Sequence, residues 1–186
     1  MSDTTPTLLT IRNSTAADVA ACAEIYRESV RNGTGTFELD EPGDADFAAR
    51  RDAVLAQALP WLVAEREGQV LGYACASQFR PRRAYRFCVE DSIYLAPAAR
   101  GQGAGKLLLA ELVARCEALG IRQMVAVIGD AGNLGSIAVH RACGFEDGGV
   151  VKAAGWKFER WLDVVMMQRR LGQGAGATPI EREDLL

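Results

Sequence analysis

The chain has 186 residues, 49% of them hydrophobic and 24% charged, with a formal net charge of −3. That is enough for one domain with a sizeable core, and the balance argues against a disordered chain or a general nucleic-acid binder. Five cysteines without C-x-x-C spacing and a single histidine give no zinc pattern, and no run approaches the roughly 20 apolar residues of a membrane span.

In chain order, Thr7 to Arg12 alternates Leu9 and Ile11 with polar neighbours, which predicts a short strand. Ser14 and Thr15 offer N-caps, Asp18 stands at the capping-box position, and Val19, Cys22, Ile25, Tyr26 and Val30 follow at helical spacing toward a stop at Asn32-Gly33. Gly33 to Gly43 reads as a loop in which Phe37 is too large to be filler. A second helix is expected over Ala45–Ala58, ended by Pro60. Trp61–Glu65 and Val70–Ala76 predict a hairpin turning at Arg66-Glu67-Gly68-Gln69.

An arginine-rich connector, Phe79–Tyr85, leads into a strand over Phe87–Leu95, then a glycine loop. The helix from Ala104 to Leu119 follows, with Leu108, Leu112, Val113, Cys116 and Leu119 as its apolar stripe. Gln123–Ile128 is a buried-type strand and Asn133–Cys143 a short helix stopped by Gly144. Phe145–Val151 and Phe158–Met167 form a last strand pair; Lys157 is placed with Phe158, Arg160 and Trp161 on the last strand, and Trp161 is expected in the core. Gly172 to Gly176 is linker-like, so one domain is expected over residues 1–172 and a flexible tail over 173–186. This order predicts an α/β (α+β) fold, a mixed sheet of about seven strands flanked by about four helices. With Asp3 and no apolar stretch at the N-terminus, and small core-type cysteines, a cytoplasmic protein is expected.

The stretch Arg100-Gly101-Gln102-Gly103-Ala104-Gly105-Lys106 lies between a strand and a helix, an anion-binding arrangement. Two nucleotide loops fail on counting. A Walker loop needs Gly where Arg100 stands and Ser or Thr where Leu107 stands; the dinucleotide fingerprint needs a third Gly or Ala where Lys106 stands. What remains, Arg-x-x-Gly-x-Gly opening a helix, resembles the acetyl-CoA pyrophosphate loop of the GNAT N-acetyltransferases, whose element order is also the one predicted here.

Acetyl transfer to an amine needs the neutral amine, so a carboxylate near the thioester, acting directly or through water, takes up the proton. Glu90, desolvated between Val89 and Ile93, suits that base, and Asp91 points to the opposite face of a regular strand. His140, on the short helix, is either a packed residue or a second catalytic group. Asn133 and Ser136 are either helix caps or contacts to the CoA arm. Arg80, Arg82 and Arg83, with Tyr85, form a cationic aromatic cluster whose guanidinium forks suit a carboxylate-bearing acceptor such as an amino acid.

A narrower resemblance rests on Trp61-Leu62-Val63-Ala64-Glu65, Ala84-Tyr85-Arg86, Val89-Glu90-Asp91-Ser92-Ile93-Tyr94, Met124-Val125-Ala126-Val127-Ile128-Gly129, His140-Arg141-Ala142-Cys143-Gly144-Phe145 and Gly155-Trp156-Lys157-Phe158. These segments look like the phosphinothricin and methionine sulfoximine (sulfone) acetyltransferases, from about residue 10 to 171. The resemblance implies acetyl-CoA as co-substrate, no metal, and Glu90 and His140 as catalytic groups. It implies Ile93, Tyr94 and Leu95 along the pantetheine, Arg100, Gly101, Gln102, Gly103, Ala104, Gly105 and Lys106 at the pyrophosphate, and Asn133 and Ser136 on the CoA arm. Acceptor binding would fall to Phe37 on a mobile loop, Arg82, Tyr85, Glu90 and Lys157, in a homodimer with no nucleic-acid or membrane partner. Cys88 stands where the family often has Thr, and Cys143 where it often has Leu. An acceptor of another kind, such as a protein N-terminus, or a non-catalytic acyl-CoA-binding module, would share most of these residues.

Overall fold

The computed structural model describes residues 8–180; Thr7 of the first predicted strand and residues 181–186 of the expected tail lie outside the described residues. Among these the chain forms β1 (Thr10–Asn13), α1 (Val19–Asn32), α2 (Asp44–Ala56), β2 (Trp61–Arg66), β3 (Gln69–Gln78) and β4 (Cys88–Leu95). α3 (Ala104–Ala118), β5 (Gln123–Gly129), α4 (Leu134–Ala142), β6 (Glu146–Lys157) and β7 (Arg160–Arg170) follow. The strands make one seven-stranded sheet in the order β1-β2-β3-β4-β5-β7-β6. Every neighbouring pair is antiparallel except β4 and β5, which are parallel.

The central strands carry unbroken apolar runs because both faces of the sheet are covered. Trp61, Leu62, Val63 and Ala64 are all buried, and Leu108, Leu109, Leu112, Val113 and Cys116 of α3 pack into the same core. α1 is seated where the sequence placed its cap. The Thr15 N–H donates to Asp18 Oδ2 at 2.7 Å, and Arg12 of β1 donates to both Asp18 oxygens and to Glu65 of β2.

The faces of β4 are sorted by the strand's period of two. Tyr94 meets Tyr26 of α1 edge-on at 4.9 Å, whereas Asp91 meets His140 of α4 on the opposite face. Behind Tyr94 the rings continue as a stack, Tyr73 at 5.4 Å and Trp61 a further 5.3 Å on, with Phe47 of α2 edge-on to both Tyr73 and Trp61. Such ring pairs contribute about 0.5–1.5 kcal/mol each beyond area burial, so the α1 side of β4 is held rigidly.

The last hairpin is longer than the sequence indicated. β6 runs on through Gly155 to Lys157, past a register shift between Val151 and Gly155, and the turn falls at Phe158-Glu159 with φ of 52° and 56°. Lys157 therefore ends β6 instead of joining the last strand. Trp161 is 63% exposed instead of core, because β6 is an edge strand and leaves that side of the hairpin uncovered. Beyond β7, Leu171 is fully buried and a 3-10 turn covers Gly174–Gly176, with the Thr178 carbonyl 3.5 Å from Arg122 Nη2.

Candidate active site

β4 pairs with β3 along its length, from Gln78–Val89 to Gly72–Leu95, but with β5 only from Cys88–Gln123 to Asp91–Ala126. Past Asp91 the two parallel strands part, and Ser92–Leu95 have no β5 partner. The gap opens a cavity of about 640 Å³ whose lining includes Glu90, Asp91, Ile93, Tyr94, Leu95, Arg100, Gly101, Gly105, Asn133, Ser136, His140 and Phe37. Strand-edge backbone left unpaired beside a cavity can accept an extended amide-bearing ligand as an added strand. At one end of this edge is the glycine loop; at the other is Glu90.

The three glycines of the loop do different work. Gly101 and Gly103 have φ of 74° and 84°, the left-handed turns that bring the chain into α3, and a Cβ on either would meet open space. Gly105 is buried, and a Cβ there would press on Leu95 and Val139, so it lets α3 lie close to β4 and α4. Arg100 donates to the Leu95 carbonyl at 3.3 Å and pairs with Glu28 of α1 at 2.7 Å. Gln102, Gly103, Ala104 and Lys106 lie outside the cavity lining. Gln102 donates to the Ala98 carbonyl and accepts from Arg66, Ala104 is buried in the start of α3, and Lys106 is exposed on its first turn.

Glu90 is half-buried. Burial pushes its pKa above the usual carboxylate value, Arg80 at 3.8 Å pulls it back, and the neighbouring Asp91 raises it further. A carboxylate so tuned is a better proton acceptor near neutral pH than an ordinary one. Arg80, whose guanidinium also lies over the Phe79 ring at 4.1 Å, is thus the cluster arginine that faces Glu90. Replacing Arg80 by Ala removes the lowering influence. A base must be deprotonated to act, so the acid limb of the kcat/KM profile should move to higher pH, as initial rates between pH 5 and 9 would measure. Arg82 and Tyr85 lie outside the cavity lining: Arg82 precedes the exposed 3-10 turn Arg83–Tyr85, where Tyr85 rests edge-on to Phe79 at 5.8 Å.

His140 and Asp91 form a buried pair, each side chain 2% exposed, with Nε2 3.0 Å from Asp91 Oδ2. The other ring nitrogen, Nδ1, lies 2.7 Å from the Ser136 carbonyl, which can only accept, so Nδ1 carries a hydrogen. A neutral imidazole has one N–H, so a hydrogen bond from Nε2 to the carboxylate requires a second ring proton, which makes the ring an imidazolium. Burial disfavours the imidazolium, but Asp91 and the Ser136 carbonyl outweigh it and raise the His140 pKa. Both ring nitrogens are engaged. Asn133 caps α4 through Oδ1, which accepts from the Ser136 N–H at 3.3 Å.

The loop between α1 and α2 is held at several points. Thr36 Oγ1 lies 2.9 Å from Tyr26 Oη, and the buried Lys157 Nζ donates to the Thr36 carbonyl at 2.9 Å. Lys157 therefore faces the loop and lies outside the cavity lining, and its burial lowers its pKa. Asp91, Gly129 and Gly155 stand inside the motif segments and Arg80 in the arginine cluster, but none of them, nor Thr36, carries a role that its neighbours in sequence reveal. Their parts emerge only once β4, α4 and the β6–β7 hairpin are brought together.

The model of the family described as Acetyltransferase (GNAT) family matches residues 20–145. The chain belongs to the GNAT family. It is 50% identical over 170 residues to the phosphinothricin N-acetyltransferase of Alcaligenes faecalis, covering 91% of this chain and 86% of that one. It is 40% identical over 162 residues to an L-methionine sulfoximine/L-methionine sulfone acetyltransferase of Pseudomonas paraeruginosa, with coverages of 87% and 94%. Among solved structures, a GNAT phosphinothricin acetyltransferase from Sinorhizobium meliloti in complex with AcCoA superposes with a TM-score of 0.91 at 54% identity, over 93% of this chain and 94% of that one. This GNAT protein is an acetyl-CoA-dependent N-acetyltransferase of the phosphinothricin type, as its motifs led us to expect. Among its described residues no helix is long and apolar enough to cross a membrane.

Proposed function

We propose that this enzyme acetylates the α-amino group of a small amino acid with a tetrahedral side-chain terminus, such as L-phosphinothricin, methionine sulfoximine or methionine sulfone. The observation that carries the reading is the cavity at the β4–β5 splay, with a glycine loop at one end and a desolvated Glu90 at the other. The names of the relatives supply the acceptor class.

In this reading the N–H groups of the 101–105 turn take the pyrophosphate, Ile93 to Leu95 hold the pantetheine amides, and Asn133 and Ser136 border the arm. Phe37 walls the acceptor side, with Arg82 and Tyr85 at its rim. The amine nitrogen attacks the thioester carbonyl carbon, the C–N bond forms, the amine proton passes through water to Glu90, and the C–S bond breaks with CoA leaving as a thiolate that takes up a proton from solvent. Free N–H groups of β4 stabilise the negative charge that develops on the carbonyl oxygen. His140, with both nitrogens engaged, contributes by fixing Asp91 and the floor of the cavity.

Acetylation removes the cationic amine of such amino acids, which is the basis for a resistance role. Five unpaired cysteines fit a reducing cytoplasm. A homodimer through the last hairpin is supported by Val150, Val151, Trp156, Phe158 and Trp161, all large apolar residues left exposed there.

A panel of acceptors with acetyl-CoA, followed by thiol release, tests the function. These amino acids should be acetylated at least tenfold faster, by kcat/KM, than polyamines or peptides with a free N-terminus. Faster turnover of a peptide would favour a protein N-terminus as acceptor, and thiol release with none of them would favour a non-catalytic acyl-CoA-binding module.

A further inference from the structure

Two glycines on separate strands leave a gap that one side chain fills. Phe37 lies against Gly155 of β6 and Gly129 of β5. A Cβ at residue 155 would collide with the Phe37 ring, and one at residue 129 would collide with the Thr34 carbonyl oxygen and stand 3.0 Å from Phe37 Cε1. Neither glycine has a positive φ, so no turn requires them. What requires them is the close approach of the loop.

The same loop is pinned from the same hairpin. Lys157 lies two residues after Gly155 on β6 and is 4% exposed, yet its ammonium group reaches the Thr36 carbonyl at 2.9 Å. Burying an ammonium is costly unless it is hydrogen-bonded to something worth holding, and here that is the backbone beside Phe37. Lys157 Nζ also lies 5.1 Å from the Phe158 ring centroid, so its charge is further held on the hairpin side. Thr36 is fixed from α1 as well, through Tyr26, and Glu38 pairs with Arg50 of α2. Gly33, Gly35 and Phe37 line the cavity, so the position of this loop sets the cavity's width.

We propose that the β6–β7 hairpin determines acceptor selectivity by seating the loop, with Gly129 and Gly155 as the socket for Phe37 and Lys157 as the pin on Thr36. This rests on the reading that Phe37 walls the acceptor side of the cavity. Lys157 and Gly155 lie outside the cavity lining and are then positioning residues that act through the loop, whereas Gly129 both lines the cavity and backs Phe37. An ordinary sheet glycine would not couple to acceptor binding, whereas a socket glycine does.

Gly155→Ala should raise the acceptor KM about tenfold or more, since displacing a substrate-positioning group by about 1 Å costs up to 100-fold, while kcat and the acetyl-CoA KM stay within about twofold. Phe37→Ala removes the ring that the new methyl would strike. The double variant should therefore match Phe37→Ala alone, a coupling that independent sites do not show. Lys157→Met keeps the packed stem and removes the pin, so it should give the same acceptor-selective loss, and it carries the test if Gly155→Ala does not fold. Hydrogen exchange at residues 34–37 should quicken in Gly155→Ala and in Lys157→Met. Unchanged acceptor KM in both single variants, or an equal effect of Gly155→Ala with and without Phe37, would overturn the proposal. If the parent acetylates no amino acid, the acceptor reading fails instead, and the exchange rates still report whether the socket holds the loop.

Discussion

If Glu90 is the base as proposed, Glu90→Gln should lower kcat for acetyl transfer by about 100- to 10,000-fold, the range typical of a lost general base. The substitution keeps the size and most of the polarity of the side chain, so the strand, its pairing with β3 and the acetyl-CoA KM should be preserved. What is lost is the ability to hold a proton. In the parent, burial holds the Glu90 pKa above the ordinary carboxylate value, so the rate should fall as pH drops through that raised value. In Glu90→Gln this acid limb disappears from the residual rate. Initial rates at saturating acceptor between pH 5 and 9 measure both effects, and a variant as fast as its parent would remove Glu90 from the role.

His140→Ala unfolds more readily than the parent by about 3–5 kcal/mol, the cost of leaving a buried charge without its partner. In a chain of this size that corresponds to a fall in Tm on the order of 10 °C. The reason is Asp91, whose side chain is 2% exposed and whose Oδ2 bonds the ring while Oδ1 has no partner among the described residues. Adding Asp91→Asn to His140→Ala should recover part of the loss, because no buried charge then remains. Denaturant unfolding of the parent, the single and the double variant checks this. The raised pKa of folded His140 gives the pair a pH signature. Its stabilisation is fully present below the ordinary histidine pKa and is lost as pH rises through the higher folded value. Because the chain has one histidine, a single imidazole signal in the NMR spectrum reports that value directly.

The two carboxylates of β4 show how far sequence reading reaches. Glu90 was legible from the strand that bears it and the glycine loop that follows, since alternation puts it on one face and its apolar neighbours desolvate it. Asp91 was legible only as a residue on the other face. Its partner lies on α4, 49 residues away, and nothing local in Leu134–Ala142 distinguishes a packed histidine from a free one.

The element order and most boundaries followed from hydrophobic period, caps and turn residues. The last hairpin did not, because its turn has no glycine, and Phe158 and Glu159 adopt positive φ where neither residue announces it. Lys157 was picked out as acceptor-facing on its motif, but its reach to Thr36 depends on a contact across 121 residues. Arg82 was chosen over Arg80 on family position, while the arginine 3.8 Å from Glu90 is Arg80. Tertiary contacts of this length carry no local pattern.

In the proposed enzyme, donor and acceptor meet where β4 and β5 part, with Glu90 beside the reacting nitrogen. A crystal structure of the enzyme with CoA and an N-acetylated amino acid tests it most directly. The pyrophosphate should lie on the N–H groups of the 101–105 turn, the pantetheine along Ser92–Leu95, and the acetylated nitrogen within one water of Glu90. A pantetheine arm running elsewhere, or an acceptor nitrogen out of reach of Glu90 even through water, would contradict the account.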